Sequence, residues 1–546
     1  MESRRSLDAL FPQPTKTDRV VCILTILLGF LVSLFWWWSR QGLWEDEIIA
    51  ITHANQPFPL FFVEVLRNDV HPPIYFLQLK LWQQLGFHSD HGILANSLFW
   101  AVVSISALFY MTRSVYGAKA AWYVAAIYAI FPIFAYSATN LRMYSLVPAM
   151  ALLVWYANHQ WFQSGRNKWL AVAILTELAL AYVHAIEFYF VAFLVASAFA
   201  EALLLRRGGN APFAVKSNRA LAKWLGWQAA GMLLMLPLMG SAVVRGSDAG
   251  APSSGLAILL EPGALVAGWG PSSIMSLRIA GLILFCVLAA LAMKEPTSRL
   301  RTLIVPIGAL GVAIAVSMLA KPMLKVPVFA ANLLPFLALG AGVGIAFHAR
   351  AWARGVLYVC LAVLGAAAAP LVLYQIAPGG YQETGRYLAA KAQPGDIVVV
   401  PNVSVYWGVL RYAVGSNWGK PLEVMPLEPN PQWASLTAKL GPAATDMLGL
   451  RPRTDTVIHE GVRYTIGQDA RTATAQAKRI WVVHRDGYLV DVDLGGPFKR
   501  QSMVRVAGGD LVVSQFEGDP AGDTVARHPL RPKKDDAMTV EPVSAL

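Results

Sequence analysis

The sequence predicts a mainly α-helical, polytopic membrane protein of about 11 transmembrane helices, followed by a C-terminal extracytoplasmic α/β domain. Hydrophobic residues make up 56% of the 546 residues and charged residues only 14%, whereas soluble domains carry roughly 25% charged residues. The apolar residues also fall into runs of about 18 to 22, long enough to cross a hydrocarbon core as helices. Lys and Arg collect in the short segments between these runs, as topology requires.

Eleven apolar segments are expected to span the membrane. They are 20–38, 92–111, 118–135, 143–157, 169–182, 186–205, 221–240, 274–293, 303–320, 326–347 and 355–373. The first segment follows several basic residues and precedes no small-residue cleavage site, so we expect it to be retained rather than removed as a signal peptide.

The distribution of positive charge predicts the orientation. With the N-terminus inside, the cytoplasmic segments hold about eighteen Lys and Arg, against about eight outside before the C-terminal region. The sequence therefore predicts a bacterial inner (cytoplasmic) membrane protein with a cytoplasmic N-terminus and a periplasmic C-terminal domain. Topology also explains the net charge of +12, so we expect no nucleic-acid partner.

The composition divides the chain into three regions. Residues 1–376 form the predicted membrane domain, which includes a periplasmic loop, 39–91, with two aromatic-rich segments expected to lie at the interface. Residues 377–518 have the composition of a soluble α/β domain, and the polar, Pro-rich residues 519–546 are expected to be disordered. All three cysteines lie in apolar runs, so no disulfide is expected.

An acidic cluster, Glu45-Asp46-Glu47, directly follows the first span. Adjacent carboxylates repel one another, which can raise a pKa toward that of a general base, and they can also hold a divalent cation. The alternative interpretation is a solvated acidic turn, since carboxylate clusters mark function only in some proteins.

A second motif in the same loop is His71-Pro72-Pro73-Ile74-Tyr75. Pro72 favours an extended conformation at His71, and Pro73 suits the first turn of a helix. The expected result is a rigid corner that presents His71. An ordinary helix start with an exposed histidine is the alternative.

Arg142 and Tyr144 stand at the exported end of the fourth span. A fixed guanidinium can bind a phosphate through two N–H donors, although snorkelling toward the interface would also explain an arginine there. Lys321 and Lys325 in a later exported loop can add positive charge for a phosphate, or be ordinary boundary residues.

His184 and Glu187 lie three residues apart near a break between apolar runs. Ionisable groups within a membrane span are costly, which makes them functional candidates. The alternative is that the break simply places both groups in water.

In order along the chain, the Asp46-Glu47 pair, the His-Pro-Pro-Ile-Tyr motif and Arg142-Met143-Tyr144 resemble glycosyltransferase family 39 of the GT-C superfamily. That family includes protein O-mannosyltransferases, lipid A aminoarabinose transferases and lipopolysaccharide-core galacturonosyltransferases. The resemblance is best over 44–183 and resumes loosely at 381–400. It implies a GT-C type fold and an inverting glycosyltransferase that moves a sugar from a polyprenyl-phosphate donor to a lipid, glycan or protein acceptor outside the membrane.

The resemblance also implies roles for individual residues. Asp46 would be catalytic, with Glu47 beside it, and Arg142 would contact the donor phosphate. The full set implicated in substrate binding is His71, Tyr75, Arg142, Tyr144, His184, Lys321 and Lys325. No cofactor is required, while a divalent metal held by Asp46 and Glu47 stays open. Asp46, His71 and Arg142 are expected to converge on one cavity at the outer edge of the bilayer.

Two departures from the family pattern concern the donor contacts. Asn140 stands where the family usually has Glu, and Ala331-Asn332 where it often has Arg-Tyr.

Two rival functions are a lipid or glycan transporter and a non-catalytic subunit that binds a polyprenyl lipid. No internal repeat is evident, which argues against a transporter. The sequence leaves the sugar, the acceptor, the polyprenol length and the oligomeric state undetermined.

Overall fold

A computed structural model describes residues 13–541 of the protein with gaps. The gaps are 41, 57, 59–60, 62–70, 185, 208–214, 216, 246–255, 269–274, 320–323, 349, 375–379, 394, 402–404, 406–407, 410, 413–422, 427–456, 460–461, 465–473, 475–476, 486–490, 493, 495–497, 507–510, 519–527 and 530–538.

Helices dominate the chain up to residue 391. They are α1 (Lys16–Ser39), α2 (Glu45–Asn55), α3 (Ile74–Gln84), α4 (Asp90–Ile130), α5 (Pro132–Thr139), α6 (Leu146–Ser164), α7 (Asn167–Ala181), α8 (Glu187–Arg207), α9 (Asn218–Arg245), α10 (Glu261–Ala267), α11 (Met275–Ala292), α12 (Pro296–Thr302), α13 (Ala309–Leu319), α14 (Val326–His348), α15 (Ala351–Tyr374) and α16 (Tyr381–Lys391). A π-helical turn, Leu303–Gly308, joins α12 to α13, and short 3₁₀ turns stand at Met143–Ser145 and Leu256–Leu260.

Each of the eleven predicted spans falls on helical structure, so the polytopic α-helical fold class is confirmed. Among the described residues, six helical segments are long and apolar enough to cross a membrane: Lys16–Ser39, Asp90–Ile130, Glu187–Arg207, Met275–Ala292, Ser298–Leu319 and Val326–His348. The second and third predicted spans both begin within α4. That helix breaks at Gly117, whose φ of 82° is a conformation that favours glycine.

Helix α14 is the core of the membrane domain. It is apolar on all sides, and its membrane-spanning stretch is entirely buried, as expected for a helix surrounded by other helices. Gly342 and Gly344 let its neighbours approach closely. A Cβ atom on Gly342 would lie 2.7 Å from the backbone nitrogen of Val124, and one on Gly344 would lie 2.6 Å from the carbonyl carbon of Leu291. Small residues serve the same purpose at other membrane helix interfaces.

A buried ionic cluster joins four other elements of this bundle. Arg301 on α12 donates to Glu201 on α8 at 2.7 Å and to the hydroxyl of Tyr116 on α4 at 3.0 Å. His159 on α6 contacts the second oxygen of Glu201 at 2.7 Å, and the guanidinium lies 4.5 Å from the centre of the Trp155 ring. A buried charge needs such partners, and losing one of them is costly.

The chain divides into two compact units. The membrane unit comprises Met1–Ser39 and His53–Ile376, and the C-terminal unit comprises Arg40–Thr52 and Ala377–Leu546. The whole loop 39–91 was predicted to belong to the membrane domain, but residues 40–52 group with the C-terminal unit. Polar contacts explain the difference, because Glu45 pairs with Arg485 at 2.8 Å and the Leu43 N–H donates to the Tyr412 hydroxyl at 2.9 Å.

The C-terminal unit contains ten described strands. They are β1 (Ile397–Val400), β2 (Glu423–Pro426), β3 (Val457–His459), β4 (Val462–Tyr464), β5 (Arg479–Arg485), β6 (Asp491–Val492), β7 (Phe498–Val506), β8 (Leu511–Gly518), β9 (His528–Pro529) and β10 (Thr539–Glu541). Six of them form one mixed sheet in the order β10-β7-β8-β5-β1-β2.

The sequence predicts a buried strand at Ile397–Val400 and two hairpins, which pair Thr456–His459 with Arg463–Ile466 and Met503–Val506 with Leu511–Gln515. The expected buried strand is β1, which is parallel to both β2 and β5. Both expected hairpin pairings, β3 with β4 and β7 with β8, are antiparallel. Side chains from β1, β5, β7 and β8 meet in one apolar cluster beneath the sheet, which gives this unit its own hydrophobic core.

Within the tail 519–546, β9 pairs with β6 and β10 pairs with β7. The other residues of this tail lie outside the described residues, so its expected disorder stays a prediction. The acidic segment after α1 begins a helix, α2, that was not predicted. Of the two expected interfacial helices, 74–82 lies on α3, whereas 57–62 falls largely outside the described residues.

Candidate functional site

Arg142 lies in a turn that α4 holds in place. The Asn140 carbonyl accepts from the Arg142 N–H at 2.7 Å and from the Ser97 hydroxyl at 2.8 Å. One 3₁₀ turn later, the Ser145 carbonyl accepts from the Ser104 hydroxyl at 2.7 Å. Ser97 and Ser104 are seven residues apart, hence on one face of the helix. These bonds fix the backbone on both sides of Arg142, whose side chain is only 7% exposed.

His71 reaches Arg142 from the start of α3. That helix begins at Ile74, directly after Pro73, as predicted. Its first free N–H, from Ile74, donates to the Tyr182 carbonyl at the end of α7 at 3.1 Å. Arg142 Nη2 lies 3.0 Å from His71 Nε2. A guanidinium can only donate, so Nε2 is the acceptor and the ring proton is assigned to Nδ1.

His184 lies against the other face of the His71 ring. The two ring centres are 4.4 Å apart and the ring planes are 29° from parallel. The Ile186 N–H donates to His184 Nδ1 at 3.2 Å, which assigns the proton of this ring to Nε2. Burial, together with electrostatic interactions with the neighbouring His71, Arg142 and Lys325, holds the pKa of His184 well below its usual value. The ring is therefore neutral near pH 7.

Glu187 and Asn332 form a buried pair next to this stack. Asn332 Nδ2 on α14 donates to Glu187 Oε1 at the start of α8 at 3.0 Å. Glu187 Oε1 also lies 3.9 Å from His184 Nδ1, but that nitrogen accepts a hydrogen bond and carries no proton, so this approach is not an ion pair. The sequence pattern marks Glu187 only as an ionisable group at a span boundary, and it does not predict the pairing with Asn332.

The remaining substrate-binding candidates are placed differently. Lys325 is exposed at the start of α14 and contributes positive charge to the surroundings of His184. Tyr75 is buried in the first turn of α3. Tyr144 stacks on Tyr136, with ring centres 6.0 Å apart. Lys321 lies outside the described residues.

The three acidic residues of the first loop lie in the C-terminal unit. They occupy the first turn of α2, where the helix dipole favours negative charge. Glu47 is fully buried and pairs with Arg40, with Nη2 and Oε2 2.5 Å apart. It also accepts from the Trp44 N–H at 3.0 Å, and Glu45 pairs with Arg485. Asp46 stands between two structurally engaged carboxylates, so the segment is a structured helix start and not a solvated turn.

The membrane unit thus brings together His71, Arg142 and His184, with the charge of Lys325 nearby. Asp46 belongs to the other unit, and its convergence with these residues stays a prediction. In the part of the chain that the structure describes, no three His, Cys, Asp or Glu side chains are placed to hold a metal ion. Two cations beside neutral imidazoles make the cluster suited to an anion such as a phosphate.

Comparisons with known proteins bear on this arrangement. No protein-family model matches the sequence, and no characterised protein matches it in a sequence comparison. ArnT from Cupriavidus metallidurans in the apo state is similar in structure, with a TM-score of 0.54 and 13% sequence identity over 90% of this chain and 97% of ArnT. ArnT bound to undecaprenyl phosphate aligns with a TM-score of 0.53 and 13% identity, over 91% of this chain and 97% of ArnT.

The chain has the ArnT fold. The likeness extends over nearly the full length of both chains, and it confirms the GT-C type fold that the sequence motifs predicted. At 13% identity the likeness concerns the fold alone, so the chemistry has to be argued from the residues of this chain.

Proposed function

We propose that the protein is an inverting glycosyltransferase that moves a sugar from a polyprenyl-phosphate donor to a lipid, glycan or protein acceptor at the outer face of the cytoplasmic membrane. The observation that carries this proposal is the buried cluster of Arg142, His71 and His184 at the ends of apolar helices. An anion site in such a place suits a lipid phosphate, and the ArnT fold has been solved with undecaprenyl phosphate bound.

Arg142 is proposed to stabilise the leaving phosphate. When the bond between the anomeric carbon and the phosphate oxygen breaks, negative charge grows on the phosphate. A guanidinium fixed in advance stabilises that charge without reorganising during the reaction. The hydrogen bond to His71 and the two serine contacts of the Arg142 turn supply this fixation, and Lys325 adds a second positive charge.

Asp46 is proposed as the base. The acceptor hydroxyl loses its proton to the Asp46 carboxylate while its oxygen bonds to the anomeric carbon from the side opposite the phosphate, through an oxocarbenium-like state. Glu47, held by Arg40, would keep the first turn of α2 in position. This scheme uses no cofactor.

Lipid binding tests the phosphate site. Undecaprenyl phosphate should bind the purified protein in nanodiscs, and Arg142→Ala should weaken binding about 10-fold or more, because a charge-assisted hydrogen bond is lost. Arg142→Lys should recover part of the affinity. Arg113→Ala, which removes an exposed arginine of α4, is the matched control. Unchanged binding by Arg142→Ala would refute the proposed phosphate site.

Turnover is tested in cells. Envelope lipids and glycans from strains with and without the gene are compared by mass spectrometry. A single class of acceptor should differ between the two strains by the mass of one sugar. Asp46→Asn should behave like the deletion while the purified variant still binds undecaprenyl phosphate. Full complementation by Asp46→Asn would exclude Asp46 as the base.

The same measurements separate the two rival functions. A transporter would move lipid or glycan across vesicle membranes with no new glycosidic bond formed. A non-catalytic subunit would bind the lipid, and Asp46→Asn would leave envelope composition as in the wild type. Either result would refute the proposed transferase activity.

A further inference from the structure

Two buried oxygen atoms beside the phosphate cluster have no hydrogen-bond partner among the residues that the structure describes. They are Glu187 Oε2 and Asn332 Oδ1. The two side chains are only 1% and 3% exposed. Buried polar atoms in folded proteins are nearly always paired, so each exception calls for an explanation. Two exceptions on one hydrogen-bonded pair point to a ligand.

The orientation of the Asn332 amide is fixed by its neighbours. Asn332 Nδ2 donates both to Glu187 Oε1 at 3.0 Å and to the Val328 carbonyl at 3.1 Å. A flipped amide would place Oδ1 against these two acceptors. The unpaired Asn332 atom is therefore an acceptor. Glu187 Oε2 accepts a hydrogen bond when the carboxyl is ionised and donates one when it is protonated. The matching partner is a group that can both donate and accept, as a hydroxyl can.

The chemistry of the proposed donor lipid leaves one candidate for that group. The polyprenyl chain has no polar group, and the phosphodiester linkage has only acceptor oxygens and therefore no donor for Asn332 Oδ1. The sugar carries several hydroxyl groups, each of which can both donate and accept. Sugar hydroxyls are thus the part of the substrate that these two atoms match.

The position of the pair agrees with this assignment. Glu187 lies three residues after His184, whose ring stacks on His71. Asn332 lies on α14, seven residues after Lys325, which directly precedes that helix; seven helical residues span about 10 Å. Each member of the pair thus follows a phosphate-side group by two helical turns or less.

We infer that Glu187 and Asn332 form the subsite that binds the hydroxyl groups of the donor sugar. This inference rests on the proposed function and assigns these two residues the recognition of the transferred group. They are binding residues, and the phosphate contacts remain with Arg142 and its neighbours.

The test compares bare and sugar-bearing lipids. Undecaprenyl phosphate and a panel of undecaprenyl phosphates carrying a hexose, a pentose or an aminopentose are titrated into the protein in nanodiscs. The wild type should bind at least one sugar-bearing lipid more tightly than the bare one. Glu187→Gln, which replaces Oε2 by an amide nitrogen that can donate but cannot accept, should reduce that preference about 10-fold or more. Binding of the bare lipid should change less than about twofold.

Glu177→Gln is the matched control. Glu177 is another buried carboxylate of an apolar helix, and it accepts from Asn158 at 2.9 Å and from Gln228 at 3.2 Å. This variant should lower thermal stability as Glu187→Gln does, but it should keep the sugar preference. Should Glu187→Gln fail to fold, Asn332→Ala gives the same comparison.

Two outcomes would overturn the inference. One is a wild type with no preference for any sugar-bearing lipid. The other is a preference that Glu187→Gln and Asn332→Ala both retain, which would make the pair a structural link between α8 and α14. Failure of the wild type to bind bare undecaprenyl phosphate would instead refute the proposed function, so the two failures are distinguishable.

Discussion

Two histidines with opposite tautomers define the candidate site at the scale of single residues. Arg142 donates to Nε2 of His71, and the Ile186 N–H donates to Nδ1 of His184. Each ring therefore accepts through one nitrogen, and the stack adds no full positive charge of its own near pH 7. The cationic character of the cluster comes from Arg142 and Lys325.

Acidification should destabilise the protein through His184. Its folded pKa lies well below the value of about 6.5 expected in an unfolded chain, so the unfolded state binds a proton that the folded state does not. The free energy of unfolding should fall as the pH drops below about 6.5, by up to about 1.4 kcal/mol per pH unit from this one group.

The measurement is thermal unfolding in detergent at pH 7.5 and pH 5.5 for the wild type and His184→Gln. The variant cannot take up that proton, so it should lose less stability on acidification. An identical loss in both proteins would show that the charge on His184 is not linked to folding.

Removing divalent metal should leave turnover unchanged. In the proposed reaction the leaving group is a monophosphate, and Arg142 with Lys325 supplies two positive charges for it. Dialysis against EDTA followed by a turnover assay checks this. A loss of activity that Mg²⁺ or Mn²⁺ restores would contradict the prediction and would favour Asp46 and Glu47 as metal ligands.

At the scale of elements, α14 combines packing with the site. Its N-terminal half follows Lys325 directly and carries Asn332, and its C-terminal half carries the glycines that pack against α4 and α11. Close packing fixes the depth and rotation of a helix, because a side chain inserted at the contact would force the backbones apart. The glycines therefore help set where Asn332 meets Glu187.

A large residue at Gly344 should disrupt this packing. Gly344→Leu would place its Cβ against the backbone of Leu291, and overpacking of this kind typically costs about 1–3 kcal/mol. Thermal stability in detergent should fall by several degrees. Gly355→Leu is the control, because a Cβ at Gly355 meets no atom within 4 Å. Equal melting temperatures for the two variants would contradict this view of α14.

At the scale of the membrane unit, two groups of polar residues bear on the orientation of the helices. One group comes from segments predicted to be extracytoplasmic and comprises His71, Arg142, His184 and Lys325. The other lies at or near segments predicted to be cytoplasmic and comprises Tyr116, His159, Glu201 and Arg301. Each group combines residues from one predicted side only, which supports the predicted alternation of the helices across the membrane.

Cysteine labelling tests which group faces outward. In a variant without the three native cysteines, Lys325→Cys should react with a membrane-impermeant maleimide added to intact spheroplasts. Arg113→Cys should react only after lysis. The reverse pattern would invert the predicted topology and would place the phosphate cluster on the cytoplasmic side.

Sequence reasoning predicted the helices well and the site in part. His71 and Arg142 were proposed as partners from motif order, and they are in direct contact. The pairing of Glu187 with Asn332 and the cluster around Arg301 were missed. Each of these joins residues more than 80 positions apart, and no local pattern records which helix faces meet.

By itself, the sequence determined the membrane helices and the boundaries between them. Lipid offers no hydrogen-bond partner to the backbone, so an apolar run of sufficient length has to become a helix whatever its neighbours are. Only the tertiary structure decided which polar side chains meet, that residues 40–52 belong with the C-terminal unit, and that the buried pair of Glu187 and Asn332 lies beside the phosphate cluster. Those outcomes depend on helix rotation and depth, which close packing sets and composition leaves open.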